Sequence, residues 1–345
     1  TSVSAFAYSF TDYTALMLYG YPKDNQTLEE LRAIILEELE KLKKGEFDEE
    51  LLQSIINNKK RAHYESLIDN DSRANMFVDA FINGQEWTDV VGKMGRMEKI
   101  TKQQLVDFAN KHLNDNFVCV YKRQGEDSTI KKIEKPAITP IPANRDTASV
   151  FLKEIQTSET TPIQPRFVDF EKDMTKTEMA NGLPVLYKKN TTDGLFTLAF
   201  VYDYGTEYVK GLDLVSDYIN YIGTDKKTAA QIKQEFYKLA CDYNISIGDR
   251  RSYMTLSGLQ ENMPQALALL EDLLANAKGD KDSYDKYVDM LLKLRQDNKT
   301  SQDANFSALQ QYALYGEYNS WHNTLNEAEL LAGSPEMLTD MLKPF

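Results

Sequence analysis

Three helix-start signals, preceded and separated by short β-type runs, determine the order of elements that this chain can form. Thr27-x-x-Glu30, Thr101-x-x-Gln104 and Thr228-x-x-Gln231 each match the capping box. In that motif a threonine and a glutamate or glutamine three residues later each accept a hydrogen bond from the other's backbone amide. Runs rich in aromatic and aliphatic residues at 3–10 and 13–21 predict a pair of strands before the first helix.

Apolar periodicity and turn residues predict the remaining elements. An Asn181-Gly182 pair between two short β-type runs predicts a hairpin. The predicted helices cover 28–44, 48–67, 72–83, 101–112, 211–221, 229–243, 263–277 and 282–298, with a short one within 146–156, and further strands cover 117–121, 194–204 and 252–258. Because strands and helices do not alternate regularly, the sequence favours an α+β fold with antiparallel sheets packed against helices.

A proline-rich segment divides the chain into two predicted domains. Half of the chain's ten prolines lie there: Pro136, Pro140, Pro142, Pro162 and Pro165. Proline favours extended backbone, so the segment is expected to act as a stiff connector. We therefore predict a first domain at 1–123, a hinge or linker at 124–175 and a second domain at 176–345.

Charge and apolar composition exclude several classes of partner. The formal net charge is -13, which disfavours nucleic acid and anionic membrane surfaces because both are polyanions. No run approaches the roughly 18 apolar residues that cross a bilayer, so we expect no membrane insertion and a soluble protein. Cys119 and Cys241 are the only cysteines of the sequence, which predicts neither a disulfide framework nor a thiolate zinc site. The chain opens at Thr1 and closes at Phe345 without the signals of a natural terminus, and we expect both ends to be cut.

Residues 177–345 resemble the repeated unit of the insulinase/pitrilysin family, the inverted zincins. Four segments carry the resemblance in the family's order: the hairpin at 179–187, the lead at 205–212, the glycine-threonine turn at 223–228, and the strand and helix at 251–274. The resemblance implies two related α+β units of the LuxS/mitochondrial-processing-peptidase type, the first of them partial. Residues 1–123 resemble the later half of the unit that follows the catalytic one.

The family's catalytic units carry His-x-x-Glu-His on the helix that the resemblance places at 211–221. Two histidines four apart bind zinc, and the glutamate activates the metal-bound water. Here the corresponding positions hold Leu214, Asp217 and Tyr218, and the family's third ligand falls near Lys293. The resemblance therefore predicts a degenerate domain with no catalytic residue and no metal of its own, and zinc in a catalytic domain outside this chain.

The resemblance also implies partners for the chain. They are the catalytic and C-terminal domains of the same polypeptide, and a peptide substrate held in an enclosed chamber. In long family members an edge strand of the second domain anchors the extended substrate, and the segment 124–175 is the hinge. The corresponding strand here comprises Val3, Ser4, Ala5, Phe6, Ala7 and Tyr8. Without proline this stretch can pair with an added strand, or it can be a plain strand of the sheet.

Two other functions remain open from the sequence. One is a structural or assembly subunit of an inactive family member, in which no unit carries the zinc motif. The other is an unrelated helical binding module. His63, His112 and His322, the three histidines of the sequence, are remote from one another along the chain and none has a Glu-His neighbour, so we predict no ligand role for them.

Overall fold

The computed structural model describes residues 2–125, 129, 131, 133–141, 147–319 and 321–345. Pro142 and the first residue of the predicted helix at 146–156 lie outside these ranges. The chain divides into a larger unit, formed by 1–116 together with 190–345, and a smaller unit at 117–189. No helix within the described ranges is long and apolar enough to span a membrane. The domain limits predicted at 1–123, 124–175 and 176–345 stay a prediction.

The larger unit begins with an antiparallel hairpin of strands β1, Ser2–Ser9, and β2, Thr14–Tyr21. The register pairs Ser2 with Tyr21 and Ser9 with Thr14 along the full length of both strands. The two strands predicted at 3–10 and 13–21 are thereby confirmed within one residue.

Six helices follow the hairpin in the described part of 22–116. They are α1 Leu28–Lys44, α2 Glu49–Ser66, α3 Asn70–Ile82, α4 Trp87–Val91, α5 Lys93–Met97 and α6 Lys102–His112. The two capping boxes predicted in this part of the chain, at Thr27 and Thr101, are present. In the first, the amide of Glu30 donates to the Thr27 hydroxyl over 3.1 Å, and the amide of Thr27 donates to the Glu30 carboxylate over 2.8 Å. Gly45 ends α1 in the left-handed conformation at φ 72°, as helix-ending glycines commonly do.

The smaller unit contains a helix, α7 at Val150–Thr157, and a hairpin of β3, Thr175–Glu178, and β4, Pro184–Tyr187. Gly182 takes φ 83° in the predicted turn. The strand predicted at 117–121 is wrong, because these residues are irregular. Val118 and Val120 are 89% and 86% exposed. A segment of β-type composition forms a strand only where it can pair with a neighbouring strand and pack its side chains.

The second part of the larger unit holds a three-stranded antiparallel sheet in the order β5-β7-β6. The strands are β5 Leu195–Tyr202, β6 Cys241–Ile247 and β7 Ser252–Leu259. The helices are α8 Leu214–Tyr218, α9 Ala229–Lys238, α10 Met263–Ala275, α11 Lys281–Asn298, α12 Gln302–Tyr315, α13 Glu327–Ala332 and α14 Pro335–Asp340. Helices and antiparallel sheets together confirm the α+β class.

The principal apolar core lies between this sheet and the helices that cover it. Its fully buried side chains include Leu212, Ile232, Leu256, Leu270 and Leu338. Burying a leucine or isoleucine side chain of this kind stabilises the fold by about 1.5–3 kcal/mol. Helix α8 belongs to this core, so the residues that the family resemblance singles out are placed by packing.

Candidate functional site

Helix α8 is short and enters the core directly from a constrained turn. Gly211 has φ 79°, and a Cβ atom at this position would lie 2.6 Å from Cγ of Leu325. Its amide donates to the carbonyl of Asn323 over 2.8 Å. The sequence predicts a helix over 211–221, but α8 spans five residues and continues as a 3-10 turn at Ile219–Tyr221.

The side chains at the two positions corresponding to zinc-binding histidines point into the core. Leu214 is 5% exposed and Tyr218 is 0% exposed. The Tyr218 ring lies 5.4 Å from the Tyr287 ring and 6.1 Å from the Tyr284 ring, measured between centroids. Aromatic pairs at these separations stabilise one another beyond the area they bury. Leucine has no lone pair to offer a metal, and the tyrosine is enclosed by other aromatic rings.

The other two positions of the degenerate motif are at the surface. Asp217 and Lys293 are both exposed, the first on α8 and the second on α11. A carboxylate and an ammonium in these surroundings are solvated by water, and the ammonium would repel a divalent cation. The structure thus separates the four positions into two packed side chains and two solvated ones.

Two buried polar atoms near α8 have no hydrogen-bond partner among the described residues. They are Oδ1 of Asp213 and the hydroxyl oxygen of Tyr218. Burial raises the pKa of the Asp213 carboxyl above its usual value, and burial raises the pKa of Tyr218 to about 12. Sequence reasoning missed Asp213, although a lone acid inside the apolar run 212–215 is a detectable signal of a buried carboxyl.

The tyrosines around Tyr218 are held by their own hydrogen bonds. The Tyr284 hydroxyl donates to the carbonyl of Leu330 over 2.8 Å, and the Tyr287 hydroxyl donates to the carbonyl of Leu214 over 3.3 Å. The position is a tyrosine-rich packing centre. Burial accounts for its raised tyrosine pKa values, since a phenolate is disfavoured away from water.

The predicted peptide-anchoring strand lies at the edge of a two-stranded sheet. β1 pairs with β2 and with no other strand in the described parts of the chain. Val3, Phe6 and Tyr8 are 52%, 45% and 53% exposed, and the whole strand, including Ser4, Ala5 and Ala7, is accessible. One edge of β1 therefore presents backbone donors and acceptors together with apolar side chains.

Metal-binding side chains do not gather elsewhere in the described ranges. No group of three or more His, Cys, Asp or Glu residues there has the geometry to hold a metal ion. His63 lies in α2, His112 is the last residue of α6, and His322 lies between α12 and α13. Cys241 is buried, and burial raises the pKa of its thiol to about 11.

No protein-family model matches the chain, and no curated protein matches it. A search of solved structures finds the peptidase M16 inactive domain from Pseudomonas fluorescens, at 17% identity and a TM-score of 0.43, covering 49% of this chain and 42% of that one. It also finds the periplasmic protease PqqL from Escherichia coli, at 11% identity and a TM-score of 0.43, covering 99% of this chain and 40% of that one.

A third match is a mutant of the ferredoxin protease FusC in complex with Arabidopsis ferredoxin. Its identity is 11% and its TM-score 0.44, and the match covers 100% of this chain and 41% of that one. The chain thus spans about two-fifths of the length of the solved structures it matches.

Proposed function

We propose that this chain is a non-catalytic part of a larger zinc metalloendopeptidase of the insulinase/pitrilysin family, where it lines the chamber in which peptides or small proteins are degraded. The burial of Leu214 and Tyr218 carries the proposal. A zinc ligand must present a lone pair to the metal and leave room for it. These two side chains fill the core instead, at 5% and 0% exposure.

The catalytic zinc and its activated water belong, on this proposal, to another domain of the same polypeptide. The present chain contributes walls and substrate contacts, and the segment at 124–175 acts as the hinge between its two family units. A chamber that excludes water during cleavage must open to admit the peptide. Removing Pro140–Pro142 from the longer protein should therefore change turnover that is limited by substrate entry, and unchanged turnover would leave the segment a passive connector.

The experiment compares this chain with the longer protein that contains it. Both are purified, their zinc content is measured, and hydrolysis of a quenched fluorescent peptide is followed with and without a chelator. We expect zinc and chelator-sensitive hydrolysis only in the longer protein. The matched control is this chain carrying Leu214→His and Tyr218→His. It should bind zinc weakly at most, because Lys293 occupies the region where the family resemblance puts the third ligand.

Two results would contradict the proposal in different ways. Stoichiometric zinc with chelator-sensitive hydrolysis by this chain alone would show that a metal site exists within it. A longer protein without a His-x-x-Glu-His motif and without hydrolysis would instead identify a structural or assembly subunit of an inactive family member.

The second part of the proposal concerns the free edge of β1, which we assign to holding extended peptide. An added strand needs free backbone groups, and the exposed Phe6 and Tyr8 would lie beside alternate side chains of the peptide. Consecutive residues of β1 direct their amides alternately toward β2 and away from it. Of Ala5 and Phe6, one therefore offers its amide to the peptide.

The test uses Ala5→Pro and Phe6→Pro in the longer protein. Proline at the outward-facing position removes a donor from the peptide and leaves pairing with β2 intact, so cleavage of long peptides should fall more than cleavage of short ones. Proline at the other position should disrupt the hairpin, which hydrogen exchange of the β2 amides reports. If both variants lower the cleavage of long and short peptides equally, β1 is a plain strand of the sheet.

A further inference from the structure

Helix α9 of the larger unit ends without the residue that normally completes such an end. The last carbonyls of a helix lack donors from within the helix, and a left-handed glycine usually follows. Here Ala240 takes the left-handed conformation at φ 48°. Its amide donates to the carbonyl of Tyr237 over 3.1 Å. An alanine pays a steric cost in this conformation that glycine does not, so the turn from α9 to β6 depends on contacts from elsewhere.

Two adjacent asparagines of α2 supply donors to this helix end. Nδ2 of Asn58 donates to the carbonyl of Tyr237 over 2.7 Å, and Nδ2 of Asn57 donates to the carbonyl of Lys238 over 3.3 Å. The residues they bridge are about 180 positions apart in the sequence. Within 190–345, two described side chains donate to this end: Asn262 to the carbonyl of Leu239 over 2.7 Å, and the Cys241 thiol to the same carbonyl over 3.4 Å. Thus the first part of the chain completes a helix of the second part.

Three ion pairs surround these bonds, each with one partner from either part of the chain. They join Glu50 with Lys238 at 2.9 Å, Arg61 with Asp242 at 2.5 Å, and Lys60 with Glu261 at 3.3 Å. The acidic side chains of the three pairs are 67%, 72% and 61% exposed. Their basic partners, Lys238, Arg61 and Lys60, are 31%, 15% and 21% exposed. Each pair therefore has one solvent-exposed partner, and salt screens it in part.

The contact is bordered by a groove that is open to solvent. The groove has a volume of about 690 Å³, lies between α2, α9 and α10, and is lined by residues that include Glu50, Gln53, Lys238 and Asp272. Interfaces within a chain that are polar and loosely packed allow relative motion, whereas large apolar interfaces do not. This polar contact differs in kind from the apolar core around α8.

We infer that α2 docks reversibly on the α9–β6 turn, and that Asn57 and Asn58 together with the three ion pairs make this a salt-sensitive contact joining 2–116 to 190–345. The last carbonyls of α9 receive these side-chain donors only while α2 is docked. It does not depend on the proposed peptidase role, because its chemistry is contained within this chain.

The test measures hydrogen exchange of the full chain by mass spectrometry at about 0.05 M and about 0.5 M salt, a range over which screening of exposed charges strengthens. Raising the salt should speed exchange in peptides that cover residues 237–242, while β7 at Ser252–Leu259 is unchanged. Asn58→Ala should speed exchange at 237–242 by about tenfold at low salt, as expected for one lost hydrogen bond. The matched control is Asn305→Ala, which removes a local bond to the Lys299 carbonyl and should leave 237–242 unaffected.

A charge exchange provides the second variant. Arg61→Asp should undock α2 by placing two carboxylates together, and adding Asp242→Arg should restore the wild-type exchange pattern. The inference is overturned if exchange at 237–242 is insensitive to both salt and Asn58→Ala. It is equally overturned if Arg61→Asp unfolds the entire chain cooperatively, because the contact would then be an inseparable part of one core.

Discussion

The unpartnered hydroxyl of Tyr218 leads to a prediction whose sign is unusual for a buried aromatic residue. Truncating a buried side chain normally destabilises a protein. Tyr218→Phe should instead stabilise this one, because the hydroxyl is buried without a hydrogen-bond partner in the described residues. The phenyl ring stays in place, so its packing 5.4 Å from the Tyr287 ring is kept.

The magnitude follows from comparison with a neighbouring tyrosine. A buried polar group without a partner costs about 1–3 kcal/mol, whereas an ordinary hydrogen bond contributes about 1 kcal/mol to stability. Tyr284 is 2% exposed, and its hydroxyl donates to the Leu330 carbonyl over 2.8 Å. We therefore expect Tyr218→Phe to stabilise by about 1 kcal/mol and Tyr284→Phe to destabilise by about 1 kcal/mol.

Urea unfolding followed by far-ultraviolet circular dichroism, which reports mainly the backbone, measures both changes. At unchanged slope, a shift of the midpoint reports the change in the free energy of unfolding. The two variants should move the midpoint in opposite directions, which excludes a general effect of removing a phenol. A destabilised Tyr218→Phe protein would refute the reasoning, since it would mean that the hydroxyl donates to a bound water or another acceptor.

Three further predictions concern the same core. Gly279→Ala should lower the free energy of unfolding by about 1–3 kcal/mol through overpacking, because the new Cβ would lie 2.7 Å from the Tyr218 hydroxyl. In a double-mutant cycle measured by urea unfolding, the same substitution should have a smaller effect in the Tyr218→Phe background. Burial raises the pKa of Cys241 from 9.0 to about 11 and that of Tyr243 from 10.0 to about 12. Because the unfolded chain loses these protons at lower pH than the folded one, the free energy of unfolding should fall as the pH rises from about 9 to about 12. In Tyr243→Phe, the urea midpoint should fall less steeply over the upper part of that range. Burial raises the pKa of Asp213 above 3.8. The contribution of its protonated carboxyl to stability is therefore present below about pH 3.8 and is lost as the pH rises through the pKa of the folded state. Asp213→Asn should raise the urea midpoint at about pH 7 more than at about pH 4, and the opposite order would mean that the ionised carboxylate is well paired.

Local signals in the sequence predicted the helix starts because capping is a short-range interaction. A threonine and the residue three positions later form their reciprocal bonds wherever the following segment is helical. The structure contains the boxes at Thr27, Thr101 and Thr228. The turn at Asn181-Gly182 is local in the same way, since glycine accepts positive φ without a steric cost.

Elements that depend on distant partners were predicted less well. Strand β6 was missed although Cys241, Tyr243, Ile245 and Ile247 alternate with polar residues, because the preceding helix pattern runs into the same stretch. β6 pairs with β7, and Cys241 lies opposite Gly258. The strand predicted at 117–121 has the same type of composition but does not form. What separates the two cases is the neighbouring strand that only the folded chain provides.

The sequence by itself determined the capped helices, the hairpins, the α+β class and the absence of histidines from the 211–221 window, since each depends on residue identity or on interactions within a few positions. Only the tertiary structure decided that Leu214 and Tyr218 lie inside a tyrosine-lined core, that two polar atoms there lack partners among the residues the structure describes, and that Asn57 and Asn58 of α2 donate to the end of α9. These facts depend on which side chains meet across long stretches of chain. Burial, and with it the pKa of a group or the cost of an unmade hydrogen bond, exists only once those side chains have met.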